Sequence, residues 1–292
     1  MDVPNIRILL LGKSGAGKSS LANTIFGKDR FQVNHFNNMK TQICQTETQL
    51  INGRSITVID TPGIFGKDVP EQQIKSEMTK CLLECAPGPH VFLIVLKVRK
   101  FTEQEKAVFT KICKEFSEDV LEHTIVVFTD GDQLFGGMKI EEFVEQSEGL
   151  RDLVRKCGGR CHVVDNKYWK NRQDEYMNNN LHVKALLNTI EKMVVEKNGG
   201  YYTNATLQDM ENDIVEEEAK IRESSVSISK EESRNQAKSR VLKRRLAEKP
   251  TTWKRKLLWA AVFGGLLAAV FAVVMNTEFV KSYVQSCWGN GN

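Results

Sequence analysis

Ile6–Leu11 (IRILLL) and the following Gly12-Lys13-Ser14-Gly15-Ala16-Gly17-Lys18-Ser19 form the stretch that decides the fold. The first run predicts a short buried strand, and Lys18–Phe26 predicts a helix directly after the glycines. The octapeptide matches G-x-x-x-x-G-K-[ST] in the strand–loop–helix context that a phosphate-binding P-loop requires. Its glycines let backbone N–H groups turn towards phosphate oxygens, at a helix N-terminus whose dipole attracts anions.

Gly12 to Ser20 are therefore the expected phosphate-binding residues of a nucleotide site. Lys18 is the expected catalytic cation, because it would neutralise the β- and γ-phosphates. The hydroxyl of Ser19 is the first expected ligand of Mg²⁺.

A carboxylate at the end of a neighbouring strand would complete the metal site. Asp60-Thr61-Pro62-Gly63 follows the apolar run Ser55–Asp60, so we expect Asp60 to hold Mg²⁺ through water. The backbone N–H of Gly63 can approach a γ-phosphate and report its presence. Thr41 is the best candidate for a switch residue that binds both Mg²⁺ and the γ-phosphate, with Thr46 as the alternative.

A later strand, Thr124–Thr129, leads into the expected base-reading segment Asp130-Gly131-Asp132. The carboxylate of Asp132 can accept hydrogen bonds from guanine N1 and N2, which adenine does not offer. Thr129 to Asp132 match the ends of the pattern [NT]-K-x-D, but Asp130 replaces the lysine that usually stacks on the base. Asn166 is either a contact to the other side of the base or a plain turn residue.

The order of strands and helices predicts an α/β fold. Short apolar runs at 6–11, 55–60, 90–96, 124–129 and 160–164 alternate with helical patterns at 18–26, 71–83, 103–116, 140–156 and 181–197. This alternation is typical of βαβ units in a mostly parallel sheet with helices on both faces. We expect one P-loop NTPase G domain over residues 1–204.

Composition limits the class of protein. Among 292 residues the net charge is +4, which is too small to indicate nucleic acid, and the basic region lacks interleaved aromatic residues. The cysteines are seven in number and have no framework spacing, which favours free thiols in a reducing compartment. Cys81 and Cys85 are expected as small core residues on one helix face.

The C-terminal third has two further parts. Residues 205–256 are acidic and then basic with few apolar positions, which indicates a solvated helix or a disordered stalk. Leu257–Thr277 contains 21 residues without a charge, close to the ~20 that span a hydrocarbon core. The basic residues before it should stay cytosolic, so we expect a single-pass tail anchor in a lipid bilayer, followed by a short tail over 278–292. The alternative is a buried or interfacial helix.

Several of these motifs resemble the immunity-associated GTPases of the GIMAP family. The resemblance rests on the P-loop, on Thr41 before Cys44-Gln45, on DTPGIF, on Gly88–Leu96 with Phe101-Thr102-Glu103, and on Gly199–Asn204. It implies a septin-related G domain that binds GTP or GDP, a dimer built around the nucleotide, and frequent anchoring to membranes of internal organelles. It also implies a link to lymphocyte survival. The chain departs from the usual sequence of this family at two places: Arg99-Lys100 before Phe101, and the base segment Asp-Gly-Asp.

The expected chemistry is slow. No glutamine or histidine follows Gly63 to orient an attacking water, since the chain continues Ile64-Phe65. Arg99 or Lys100 could supply a positive charge in trans to the nucleotide of a second subunit, and surface charge is the alternative role. Three functions remain open: a GTPase switch on a membrane, a GTP-loaded scaffold that barely turns over, and an ATPase.

Overall fold

The structure is a computed structural model that describes residues 5–33, 44–63, 71–170, 174–224 and 227–247. Its strands are β1 Ile6–Leu11, β2 Gln45–Ile51, β3 Arg54–Asp60, β4 Val91–Lys97, β5 Thr124–Thr129 and β6 Cys161–Val163. Its α-helices are α1 Lys18–Phe26, α2 Glu71–Cys85, α3 Glu103–Phe116, α4 Ile140–Glu145, α5 Glu148–Lys156, α6 Asn179–Glu196, α7 Ala205–Ser224 and α8 Lys230–Ala247.

One sheet in the order β2-β3-β1-β4-β5-β6 forms the centre of the molecule. β2 is antiparallel to β3, and all other neighbouring pairs are parallel. One face of the sheet packs its buried aliphatic side chains against α1 and α6. On the other face Phe92 contacts Phe116 of α3, and Phe128 contacts Phe143 of α4. These features confirm the predicted α/β fold with a mostly parallel sheet and helices on both faces.

The edge strand β2 was not expected from the sequence. Its residues, Gln45–Ile51 (QTETQLI), are mostly polar, so the apolar run that marks the central strands is missing. At the sheet edge one side of β2 faces solvent, and pairing with β3 supplies its backbone hydrogen bonds. Asn52 and Gly53 join the two strands with φ values of 51° and 76°, the positive values of a tight hairpin turn.

The helical pattern predicted over 140–156 is two helices. α4 ends at Glu145, and α5 begins at Glu148 after Ser147, whose backbone is extended at φ −129° and ψ 115°. The amide N–H of Ser147 bonds to the carbonyl of Val144 and so closes the first helix. Each helix still buries its own aliphatic face, which is why a continuous apolar periodicity hid the break.

The charged segment after residue 204 is not solvated on all sides. α7 and α8 pack against each other and against α2, within the same compact unit as the G domain. Leu207, Met210, Ile214 and Ile221 of α7 are buried, and α8 adds Ala237 and Val241. Ion pairs also join the helices: Arg234 to Glu211 at 2.6 Å and Lys238 to Glu84 at 2.8 Å.

Two cysteines expected as free thiols are joined. Cys44, directly before β2, forms a disulfide with Cys81 of α2. The N–H of Cys44 also donates to Glu77 at 2.7 Å, and its carbonyl accepts from Lys80 at 3.2 Å. The start of β2 is therefore attached to α2 by a covalent and two polar contacts. Cys81 and Cys85 are both buried, as the i, i+4 spacing on one helix face predicts.

Several predicted features fall outside the described residues. They are the switch candidate Thr41, the basic residues 254–256, the membrane-spanning segment 257–277 and the tail over 278–292. Among the helices that the structure describes, none combines the length and the apolar character needed to cross a bilayer.

Candidate nucleotide-binding site

The predicted phosphate, metal and base residues meet at one edge of the sheet. β1, β3, β5 and β6 run in the same direction, so the loops that follow them lie side by side at their carboxyl ends. The hydroxyl of Thr61 donates to the carbonyl of Leu10 at 2.7 Å, which joins the Asp60 loop to β1. The hydroxyl of Thr129 donates to the carbonyl of Ala16 at 2.8 Å, which joins the base segment to the P-loop.

Lys18 is buried inside the P-loop. Its Nζ donates to the carbonyl oxygens of Gly12 and Lys13, each at 3.1 Å. Burial lowers the pKa of Lys18, and the nearby carboxylate of Asp60 acts in the opposite direction. An ammonium group held in a loop of backbone dipoles is suited to phosphate oxygens, as the motif predicts.

Ser19 and Asp60 form the candidate metal centre. The hydroxyl of Ser19 donates to Oδ2 of Asp60 at 2.5 Å. The other oxygen, Oδ1, is buried and has no hydrogen-bond partner among the residues that the structure describes. Burial raises the pKa of Asp60, while Lys18 and Ser19 act to lower it. A buried carboxylate with one free oxygen beside a hydroxyl is the hard oxygen donor set that Mg²⁺ prefers, so these residues fit the ion.

Gly63 lies against the P-loop. A methyl group added at Gly63 would stand 2.5 Å from Cα of Ser14 and 2.6 Å from its backbone nitrogen. Only glycine allows this approach, so the Asp60 loop lies directly against the P-loop. Thr46, the alternative switch residue, lies inside β2 opposite Ile59, so it belongs to a strand and not to the preceding loop.

The predicted base segment is held by Asp165, which was not among the predicted site residues. Asp165 follows β6 and is buried; its carboxylate accepts from the backbone N–H groups of Asp132, Lys167 and Tyr168. Burial opposes ionisation of Asp165, but these backbone donors lower its pKa. Burial, followed by the adjacent Asp165 carboxylate, raises the pKa of Asp132. Asp165 thus joins the two base loops, and its position directly after a strand was the available signal.

Lysine is present beside the base segment, although Asp130 occupies its usual place. Lys97 is the last residue of β4, and its Nζ lies 2.9 Å from Oδ2 of Asp130. β4 and β5 are paired in parallel, with Lys97 opposite Thr129. The cation therefore comes from the neighbouring strand, which no local motif in the sequence indicates.

Asn166 is placed next to the P-loop helix. Its Oδ1 accepts from the hydroxyl of Thr24 at 2.9 Å. Its Nδ2 would lie 3.1 Å from a methyl group added at Gly17. Asn166 therefore lies in the loop after β6, next to α1 and the P-loop, and its contact with the base stays a prediction.

Arg99 and Lys100 are exposed residues of the loop that joins β4 to α3. The guanidinium of Arg99 lies 3.4 Å from Oε1 of Glu105, and the same carboxylate is paired with Lys13 of the P-loop. Glu105 was not among the predicted site residues. The signal that could have found it is Thr102-x-x-Glu105, a capping-box pattern at the start of α3.

Comparisons with known proteins identify the family of this chain. A sequence model described as the AIG1 family matches residues 6–224. GTPase IMAP family member 8 of Rattus norvegicus is 35% identical over 199 residues, which are 68% of this chain and 28% of that protein. This chain spans only 28% to 30% of the length of the rat, human and mouse proteins of that name.

Two solved structures share the fold. Toc33 from Arabidopsis thaliana in complex with GDP and Mg²⁺ has a TM-score of 0.55 and 21% identity, over 70% of this chain and 89% of that one. A structure from work on dimerization and GTPase activity of the chloroplast translocon components atToc33 and psToc159 has a TM-score of 0.53 and 23% identity, over 66% and 84%. Since the family model matches most of this chain, with the P-loop and Asp60 inside the match, the protein belongs to the AIG1 family, and the predicted resemblance to the GIMAP GTPases is confirmed.

Proposed function

We propose that this protein binds GTP and GDP with Mg²⁺ and hydrolyses GTP slowly, as a switch whose G domains pair across their nucleotides. The observation that carries the proposal is the Ser19–Asp60 pair beside the buried Lys18, with one oxygen of Asp60 left for a metal. Slow hydrolysis follows from the sequence after Gly63, where no glutamine or histidine stands ready to orient water.

Guanine specificity rests on Asp132. An asparagine at this position replaces an acceptor by a donor, which suits the carbonyl oxygen of xanthine in place of the guanine amino group. We expect Asp132→Asn to weaken GDP binding by about 100-fold or more and to favour XDP, since unpaired polar groups discriminate strongly. Competition of fluorescent GDP with GDP, XDP and ADP measures this. Asp152→Asn, on the exposed face of α5, is the control. Equal competition by ADP against the wild type would instead support the ATPase alternative.

Pairing of G domains is supported by the position of Arg99 and by the family. The side chain of Arg99 is 48% exposed at the nucleotide edge, where a second subunit can be reached. For Toc33 and psToc159, structures with the same fold, dimerization is stated to be important for GTPase activity. A positive charge supplied in trans would stabilise the charge that develops on the transferred phosphoryl group.

A phosphate-release assay over a range of protein concentrations tests this step. The rate per subunit should rise with concentration, and Arg99→Ala combined with Lys100→Ala should lower the plateau by about tenfold or more. Arg155→Ala with Lys156→Ala removes an equivalent exposed pair from α5 and should leave the rate unchanged. A rate that is independent of concentration, or that survives loss of Arg99 and Lys100, contradicts the trans mechanism.

A second candidate function is a GTP-dependent scaffold that hardly hydrolyses GTP. The absence of a water-orienting residue after Gly63 in the sequence favours it. The same assay separates the two. A scaffold assembles with a non-hydrolysable GTP analogue but releases no phosphate above background at any concentration.

We further propose that residues 257–277 anchor the protein in an internal membrane, with the G domain in the cytosol. The support is the sequence alone: 21 uncharged residues preceded by a basic cluster. After washing of cell membranes with alkaline carbonate, the full chain should remain in the pellet. A variant with Ala268→Arg and Ala269→Arg should be released. Release of the wild type would favour an interfacial or buried helix.

A further inference from the structure

Glu105 is an acidic residue that is not one of the candidate phosphate, metal or base residues. It lies in the first turn of α3 and is almost completely buried, with 5% of its surface exposed. Its Oε1 pairs with Nζ of Lys13 and with the guanidinium of Arg99. Its Oε2 accepts from the backbone N–H of Thr102 at 3.1 Å and from the hydroxyl of Thr102.

The carboxylate stays charged in this position. Burial alone would raise its pKa, but the hydrogen bonds from Lys13 and Thr102 lower the pKa to about 2. A buried charge is tolerated only when it is paired and hydrogen-bonded, and here both conditions hold. Capping of α3 accounts for Oε2 only. The two cations on Oε1 come from different segments, the P-loop and the loop between β4 and α3.

The contact with Glu105 restricts the side chain of Arg99 before a second subunit binds. An arginine side chain has many rotamers. It loses this conformational freedom when it binds to another subunit. Because Glu105 already holds the guanidinium of Arg99, less conformational entropy is lost when the subunits pair. A charge that is preorganised in this way stabilises a transition state. Lys13 on the same carboxylate connects the arrangement of Arg99 to the loop that holds the phosphates.

We propose that Glu105 is a positioning residue that attaches the P-loop to Arg99, so that a single carboxylate sets both the shape of the phosphate loop and the presentation of the arginine. The Arg99 part rests on the proposed hydrolysis in trans. The Lys13 part does not, because it concerns nucleotide binding within one subunit.

The substitution Glu105→Gln isolates the charge. A glutamine at this position still accepts from the N–H of Thr102, since Glu and Gln both complete a capping box. It removes the negative charge that holds Lys13 and Arg99. Glu103→Gln is the matched control, because Glu103 stands in the same turn with its side chain 87% exposed. Thermal unfolding of both variants checks that each is folded.

Two double-mutant cycles on the full chain give the decisive readouts. At saturating protein concentration, we expect Glu105→Gln to lower the hydrolysis rate about tenfold, as Arg99→Ala does, and the double variant to lose nothing further. At concentrations below pairing, we expect Glu105→Gln to weaken GDP binding about fivefold, and this effect to vanish in a Lys13→Met background.

The outcomes separate the two proposals. If the fold-changes of the two single variants multiply in the double variant of both cycles, Glu105 acts only by capping α3. That result overturns the inference. If the wild-type rate does not rise with concentration, the trans mechanism fails, and the GDP cycle with Lys13 alone decides the role of Glu105. An unchanged GDP affinity in Glu105→Gln would overturn that role as well.

Discussion

At the scale of single residues, Gly63 shows how closely two loops approach in the site. The segment after β3 lies against the backbone of Ser14, with no room for a side chain. We expect Gly63→Ala to weaken GTP binding by about tenfold or more, because a methyl group forced against backbone atoms displaces one loop from the other. Titration with a fluorescent GTP analogue measures the change.

Gly159→Ala is the control for that experiment. Gly159 has a positive φ of 75°, but a methyl group there meets no atom within 4 Å. We expect a small loss of stability from backbone strain, about 1 kcal/mol, and normal GTP binding. Unchanged GTP affinity in Gly63→Ala would mean that the two loops do not meet in the functional protein.

The residues expected to bind phosphate and metal were predictable from the sequence, whereas the residues that hold them in place were not. Lys18, Ser19 and Asp60 are specified by local patterns, since the chemistry demands these side chains next to a strand end or helix start. Asp165 and Glu105 are recognised only by their contacts with other segments: Asp165 bonds to Asp132, 33 positions earlier, and Glu105 pairs with Lys13 of the P-loop as well as with the nearby Arg99.

At the scale of secondary-structure elements, the hairpin α7–α8 is joined to α2 by a few polar contacts. Arg234 of α8 bonds to Glu211 of α7 and to the carbonyl of Ala86, directly after α2. We expect Arg234→Met to loosen the hairpin by about 1–3 kcal/mol, because half-buried acceptors lose a charged donor. Hydrogen exchange should rise in α7 and α8 and leave the central strands unaffected.

Arg240→Met is the matched control on the same helix. Arg240 is 55% exposed and pairs with Glu217 at 3.1 Å. Exposed pairs contribute little to stability, so exchange in the hairpin should change little. Equal effects of both variants would show that total charge, and not the Arg234 contacts, holds α8.

Elements with an apolar signature were correctly predicted, and those without one were missed. The strands at 6–11, 55–60 and 124–129 are apolar because both of their faces are covered by helices. β2 is half-exposed and polar, so only its turn at Asn52-Gly53 marks it. The segment after 204 reads as solvated because its few apolar residues are useful only when α2 covers them.

At the scale of the whole molecule, buried ionisable groups couple stability to pH. Burial, then the nearby His182, lowers the pKa of His162 to about 4, so the unfolded chain binds its proton more readily between pH 6.5 and 4. Stability from neutral His162 is therefore lost as the pH falls through that range. We expect the stability of the wild type relative to His162→Gln to fall on acidification, by at most about 1.4 kcal/mol per pH unit.

Glu115 gives the opposite sign. Burial raises its pKa to about 7, and its Oε2 has no hydrogen-bond partner among the described residues. The folded state then holds the proton that the unfolded state releases, so stability is lost as the pH rises from about 4.5 to 7. Over that range, the free energy of unfolding of the wild type should fall relative to that of Glu115→Gln. Urea unfolding of the three proteins at several pH values measures both slopes, and parallel curves would exclude titration of these groups.

The sequence by itself determined the P-loop fold and the family, and it named the candidate phosphate and metal residues. These depend on short motifs, since a phosphate cradle needs glycines, a lysine and a hydroxyl at fixed spacing after a buried strand. Only the tertiary structure decided which charges of different segments meet: Lys97 with Asp130, Glu105 with Lys13, and Arg234 with Glu211. The physical reason is that an ion pair between different segments has no fixed sequence spacing, because only folding brings its partners within a few ångströms.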